Sequence, residues 1–269
     1  MLPRVMVSRH SAFYSPLIAT VARGFGAGYS ILKPGQRSYE LIRDGVVDVM
    51  QSAPSSNWGP MAKGISPLPV HFALINRRDG FFLAGRNPGS PFSWKDLEGK
   101  RLIADHGGQP LAMLKYAVKY NGVEWEKIDV ADRGSPAETI EAFRRGDGDY
   151  VHFQAPGIEP AAVAVGASMP EVAFSTLCCS REFLKTDALA EFLAAYRKTR
   201  AWVASADPGE VASLESAFFP GVTHEALSKA VERYQKLGTW TGSAEIAEDL
   251  YRQALAVFGT SQPFAAVCV

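Results

Sequence analysis

Short apolar runs, bounded by Gly, Pro and polar residues, recur through the first two thirds of the chain. Longer stripes at helical spacing fill the last third. The runs read as strands and the stripes as helices that bury one face. Strands are predicted at 5–7, 29–33, 46–50, 70–75, 81–84, 101–104 and 129–131, with a further extended segment at 171–177. The run at 70–75 has no polar alternation, so it is expected to be buried on both faces. Helices are predicted at 14–23, 37–44, 55–62 and 111–120 between the strands. Ser135-Pro136-Ala137-Glu138 is a strong helix start, with a capping serine, a proline at the first helical position and a glutamate able to close a capping box. In the tail, Leu189, Phe192, Leu193, Tyr196 and Val203 share one stripe, and Leu227, Ala230, Val231, Tyr234 and Leu237 share another. Both stripes read as core. Thr223 and Ser243 are the predicted caps there, and Gly238 and Gly259 the stops.

One pattern occurs twice. Leu41-Ile42-Arg43-Asp44-Gly45-Val46-Val47-Asp48 leads through a strand to Gln51, Ala53 and Pro54. About a hundred positions later Ala142-Phe143-Arg144-Arg145-Gly146-Asp147-Gly148-Asp149 leads to Gln154, Ala155 and Pro156. This period is too long for a solenoid and fits two lobes on one plan. Glycine suits the left-handed residue that ends a helix, and arginine in the last turn suits the negative end of the helix dipole. Two tight crossings are predicted, near Arg77-Arg78-Asp79-Gly80 and near Met169-Pro170. They make the expected architecture α/β with a discontinuous first lobe, 1–77 and 173–269, and an inserted second lobe, 80–170.

Composition narrows the function. The chain has 269 residues, 47% hydrophobic and 21% charged, with 28 basic and 28 acidic residues. Balanced charge gives no footprint for nucleic acid, and no apolar stretch reaches the ~20 residues of a membrane helix. The first residues lack the basic segment and apolar run of a secretory signal, so the chain as given is expected in the cytoplasm, or in the periplasm if an export signal has been removed. Cys178, Cys179 and Cys268 form neither a disulfide framework nor a zinc spacing and read as small buried residues. The 5 histidines lack the spacing of a helix-borne metal site. No metal, cofactor or catalytic residue is assigned.

The order of these motifs resembles the periplasmic-type substrate-binding proteins of ABC importers. The similarity is greatest to the nitrate, sulfonate and taurine group, also called the thiamine-pyrimidine-precursor-like group. It is carried by Trp94-Lys95-Asp96-Leu97-Glu98-Gly99-Lys100-Arg101, by the two Arg-x-Gly-x-x-Asp repeats, by Trp202-Val203 ahead of Asp207-Pro208, and by Pro220, Leu227 and Gly238-Thr239-Trp240. The resemblance covers nearly the whole chain. It implies two α/β lobes of the periplasmic-binding-protein type II architecture, closing by a hinge on a small ligand in the cleft between them, and an ABC-importer membrane subunit as partner.

In open α/β sheets, ligands meet the loops at the carboxyl ends of strands. By position the ligand set is therefore Arg9, His10, Ser11 and Tyr14 after the first strand; Gln51, Ser52 and Ser55 after the third; and His106, Gly107, Gly108, Gln109 and Gln154 in the second lobe. Gly107-Gly108 ahead of a helix would present backbone N–H groups to a carboxylate, sulfonate or phosphate, and Arg9 could clamp the same anion. Trp58, Tyr14 and Phe153 read as core or rim packing rather than as rings stacked on a ligand. The expected activity is binding of a small organic anion or heterocycle. The alternatives are a cytoplasmic enzyme on the same fold with His10 or His106 as acid or base, and a sensing module that reports to a partner chain.

Overall fold

The computed structural model describes every residue except 88–90, 105–106 and 159–161. The chain begins β1 (Arg4–Val7), α1 (Ser15–Thr20), β2 (Gly28–Ile31), α2 (Ser38–Arg43), β3 (Val49–Ser52), α3 (Ser55–Ala62) and β4 (Val70–Asn76). It continues β5 (Phe81–Gly85), β6 (Arg101–Ile103), α4 (Gly108–Tyr120), β7 (Asp129–Ala131), α5 (Pro136–Arg145), β8 (Tyr150–Gln154) and β9 (Val163–Ala164). It ends β10 (Ser175–Cys179), α6 (Asp187–Val203), α7 (Pro208–Glu215), α8 (His224–Leu237), α9 (Glu248–Phe258) and α10 (Phe264–Val267).

The chain divides into two compact units. Unit 1 comprises Met1–Arg77 with Val172–Val269, and unit 2 comprises Arg78–Glu171. Each is built on a five-stranded sheet, ordered β2-β1-β3-β10-β4 in unit 1 and β7-β6-β8-β5-β9 in unit 2. The plan is the same in both. The third strand runs parallel to the first and antiparallel to the strand that arrives from the other unit, β10 in unit 1 and β5 in unit 2.

The repeated sequence has one physical role in both units. Gly45 and Gly146 take the left-handed conformation (φ 64° and 102°) that stops α2 and α5. Asp48 and Asp149 then clamp the first strand to the third. The Asp48 carboxylate accepts the Arg4 N–H at 2.8 Å while the Asp48 N–H donates to the Arg4 carbonyl at 3.1 Å. Asp149 does the same with Arg101, at 2.9 and 2.8 Å. The Trp94 motif is likewise structural. Ser93 and Asp96 close a capping box around one tight turn, Trp94 and Leu97 are buried, and Gly99 is left-handed.

Every residue of β4 is buried, including His71 and Asn76, as expected of a strand without polar alternation. The stripes on α6 and α8 face the core of unit 1, where each Leu- or Phe-sized side chain contributes about 1.5–3 kcal/mol. The Ser135–Glu138 capping box forms, Thr223 caps α8, and Gly238 and Gly259 end α8 and α9. Ser243 caps nothing: α9 starts at Glu248 with Ala247 at its N-cap, and the Ser243 side chain bonds Glu245 instead. The predicted helix at 14–23 forms as α1 and a wider π-helical continuation over Val21–Phe25, which Gly24 (φ 88°) kinks. The third strand starts later and runs further than predicted, so Gln51 and Ser52 lie inside β3 and Gln154 is the last residue of β8. The fourth helix starts earlier, so Gly108 and Gln109 belong to its first turn.

Candidate functional site

In unit 1 the residues at the carboxyl ends of β1 and β3 make several local polar contacts. Gln51, only 3% exposed, accepts from both the N–H (2.9 Å) and the hydroxyl (2.7 Å) of Ser8. This fixes the exit of β1 against β3. Ser52 Oγ lies 2.9 Å from Ser56 Oγ, which donates to the Ala53 carbonyl. Ser11 accepts from the Phe13 N–H, and so turns the loop into the short helical turn that carries Tyr14. His10 Nδ1 is 2.7 Å from Tyr29 Oη, and the His10 ring packs on Phe219 at 4.4 Å. Burial lowers the proton affinity of His10, and the Phe218 carbonyl offsets this in part. Arg9 is half-buried, and Ser55 opens α3.

In unit 2 the loop after β6 leads into α4. Gly107 is the N-cap with no side chain to offer, Gly108 is left-handed (φ 62°), and the first turn carries no acidic residue. Gln109 is buried in that turn. β8 runs parallel to β6, so Gln154 and this loop leave the sheet at the same end. Both amide atoms of Gln154 are buried with no hydrogen-bond partner among the described residues. An unpaired amide costs about 1–3 kcal/mol, and such a group is often completed by a ligand. His106 lies outside the described residues.

The structure therefore gathers Arg9, His10, Ser11, Tyr14, Gln51, Ser52 and Ser55 at one end of the unit 1 sheet. It gathers Gly107, Gly108, Gln109 and Gln154 at the corresponding end of the unit 2 sheet. Gln51 and Ser52 also bond within unit 1 and organise the loop. Tyr14 is 4% exposed and packs on Phe13, as a core residue does. Trp58 packs on Tyr251 and Phe258, and Phe153 on Phe82. His71 is fully buried against Thr176, and His152 is buried and stacked on Phe81. The three cysteines are free and buried, and burial raises each thiol above its ordinary range. A shallow groove in unit 1 lies at the opposite end of β3, beside Gly45, Asp48 and Glu182, and holds none of the candidate residues. Among the described residues no group of three or more His, Cys, Asp or Glu is placed to hold a metal ion, and no helix is long and apolar enough to cross a membrane.

Sequence reasoning missed two fully buried acids, Asp79 and Glu215, and the buried cation Arg200. Arg200 donates to the carbonyls of Ile75, Thr241 and Gly242. It lies one turn beyond Tyr196 on the same α6 face, and that position was a usable signal.

No family model matches the chain. Over 245 residues it is 24% identical to YtlA of Bacillus subtilis (strain 168), a provisionally assigned binding protein; the match spans 84% of this chain and 73% of YtlA. The periplasmic aliphatic sulphonate binding protein SsuA from Escherichia coli superposes with a TM-score of 0.72 at 13% identity, covering 94% of this chain and 89% of SsuA. The periplasmic nitrate-binding protein NrtA from Synechocystis PCC 6803 superposes with a TM-score of 0.58 at 15% identity, covering 87% of this chain and 71% of NrtA. The chain thus has the two-lobed fold of the periplasmic binding proteins that serve ABC-type import.

Proposed function

We propose that the protein binds a small organic anion or heterocycle through the loops at the carboxyl ends of its two sheets and hands it to an ABC-importer membrane subunit. The observation that carries this reading is the Gln154 amide of unit 2, buried with no hydrogen-bond partner among the described residues. The Gln154 amide at the end of β8 and the start of α4, which has no side-chain cap, both offer donors to an accepting ligand group. The Arg9 loop in unit 1 supplies a cation and hydroxyls. The sulphonate-binding and nitrate-binding neighbours support an oxyanion as the ligand group.

Binding is favoured over turnover because His10, the described candidate acid or base, is engaged by Tyr29 and packed on Phe219. Calorimetric titration with alkanesulfonates, nitrate, carboxylates and pyrimidines tests the proposal. Saturable binding of one class, weakened in Gln154→Ala, is the expected result. Product formation that disappears in His10→Ala would replace it with the enzymatic reading.

A further inference from the structure

Glu215 closes α7, is fully buried, and has no charged side chain acting on it among the described residues. Its Oε2 lies 2.8 Å from Ser15 Oγ, and the same Ser15 Oγ lies 2.8 Å from the Ala12 carbonyl oxygen. A serine hydroxyl carries one proton and cannot donate fully to both oxygens. The carbonyl can only accept. Both short contacts are satisfied when the Glu215 carboxyl holds a proton of its own and donates it to Ser15. The second carboxyl oxygen, Oε1, is buried with no hydrogen-bond partner among the described residues. A neutral acid tolerates that arrangement far better than a carboxylate. Burial also raises the proton affinity of Glu215 well above the carboxylate range, and the Ser15 contact opposes it only in part.

The elements around Glu215 are those that shape the loop between β1 and α1. Ser15 is the first residue of α1, and Ala12 belongs to the turn before it. Tyr14 of that turn and Tyr29 of β2 are the titratable neighbours. Tyr29 is held protonated by burial, and its hydroxyl meets His10. Phe219, four residues past Glu215, carries the His10 ring. On α8, His224 faces Ser213 and the Gly209 carbonyl on the exposed side of α7. The end of α7 thus grips the loop at two points, Ser15 and His10.

We propose that Glu215 is a positioning residue for the loop that carries Arg9 and His10: as a neutral carboxylic acid it locks Ser15 and Ala12, and on ionising it releases them. The consequence for ligand affinity rests on the binding function proposed above; the protonation of Glu215 does not.

Infrared difference spectroscopy between wild type and Glu215→Gln decides the protonation. A protonated-carboxyl band at neutral pH, lost in the variant, is expected. Its absence would overturn the proposal. The His10 ring signals, followed by NMR, should take a second step at the pH where that band vanishes. Glu215→Gln should show no such step, because its amide still donates to Ser15. Identical His10 titrations in the two proteins would show that Glu215 does not act on the loop. Ser15→Ala, which should shift the band, serves if Glu215→Gln does not fold. With methanesulfonate as probe, affinity should fall about tenfold across the same step in wild type and stay level in the variant. If methanesulfonate binds at no pH, the binding function is what fails, and the infrared and NMR results still judge Glu215.

Discussion

Replacing Asp79 by Asn should stabilise the protein above neutral pH and change it little in acid. Asp79 is fully buried just inside unit 2, where Oδ1 accepts the Phe81 N–H at 2.6 Å and Oδ2 has no partner among the described residues. Burial raises its pKa from 3.8 to about 7, against the smaller opposing effect of the Phe81 N–H. In the unfolded chain this carboxyl loses its proton near the ordinary value. In the folded chain it keeps the proton to about 7. Between those values the native state binds the extra proton, so stability falls as pH rises through the window, and above it the full cost remains. About three pH units at about 1.4 kcal/mol each set the cost at no more than roughly 4 kcal/mol. Asparagine keeps the oxygen that accepts from Phe81 and cannot ionise. Urea denaturation of both proteins across the acid-to-alkaline range is the assay. Wild type should lose stability through the window while Asp79→Asn stays nearly level, and the curves should converge in acid. A variant less stable than wild type in alkali would mean that ionised Asp79 is stabilised by its surroundings, refuting the argument.

Other perturbations probe the scaffold. A Cβ at Gly166 would run into the Asp79 backbone, so Gly166→Ala should destabilise the protein by about 1–3 kcal/mol, read as a lower melting temperature. Gly107 is extended, and no described residue lies within 4 Å of a Cβ built there, so Gly107→Ala should leave melting nearly unchanged. Asp149→Ala removes the clamp between β6 and β8 and should cost about 1.5–3 kcal/mol, with faster amide exchange at Arg101. Arg9→Ala should weaken ligand binding by about 1.5–3 kcal/mol if the guanidinium pairs with a desolvated anion, measured by calorimetry.

The legible features were those with a local physical cause. The glycine stops, the Ser135 box, the Thr223 cap and the apolar run of β4 each follow from residues within one turn or strand. The duplicated Arg-x-Gly-x-x-Asp segment also exposed the common plan of the two sheets, although not the reason for its aspartate. Asp48 and Asp149 are needed because the start of the first strand must be tied to the third, a contact that spans 44 positions in one unit and 48 in the other. Ser243 misled because capping residues are common and its helix starts later. Asp79 and Glu215 stayed hidden for a different reason. A pattern of apolar and polar positions assigns charge to the surface, and each of these acids is buried by distant parts of the chain. Ser15, for instance, reaches Glu215 across 200 positions. Of the candidate site, the positions were readable from the strand ends. That Gln51 is bonded within its unit, while Gln154 has no partner among the described residues, shows only in the fold.

Hydrogen exchange with and without saturating ligand, resolved by peptide, tests the central claim most directly. Segments 8–14 and 51–55 in unit 1, and 107–109 and 154–155 in unit 2, should gain protection together when the ligand is added. Protection confined to the opposite strand ends, or to one unit alone, would contradict the assignment of the ligand to these loops.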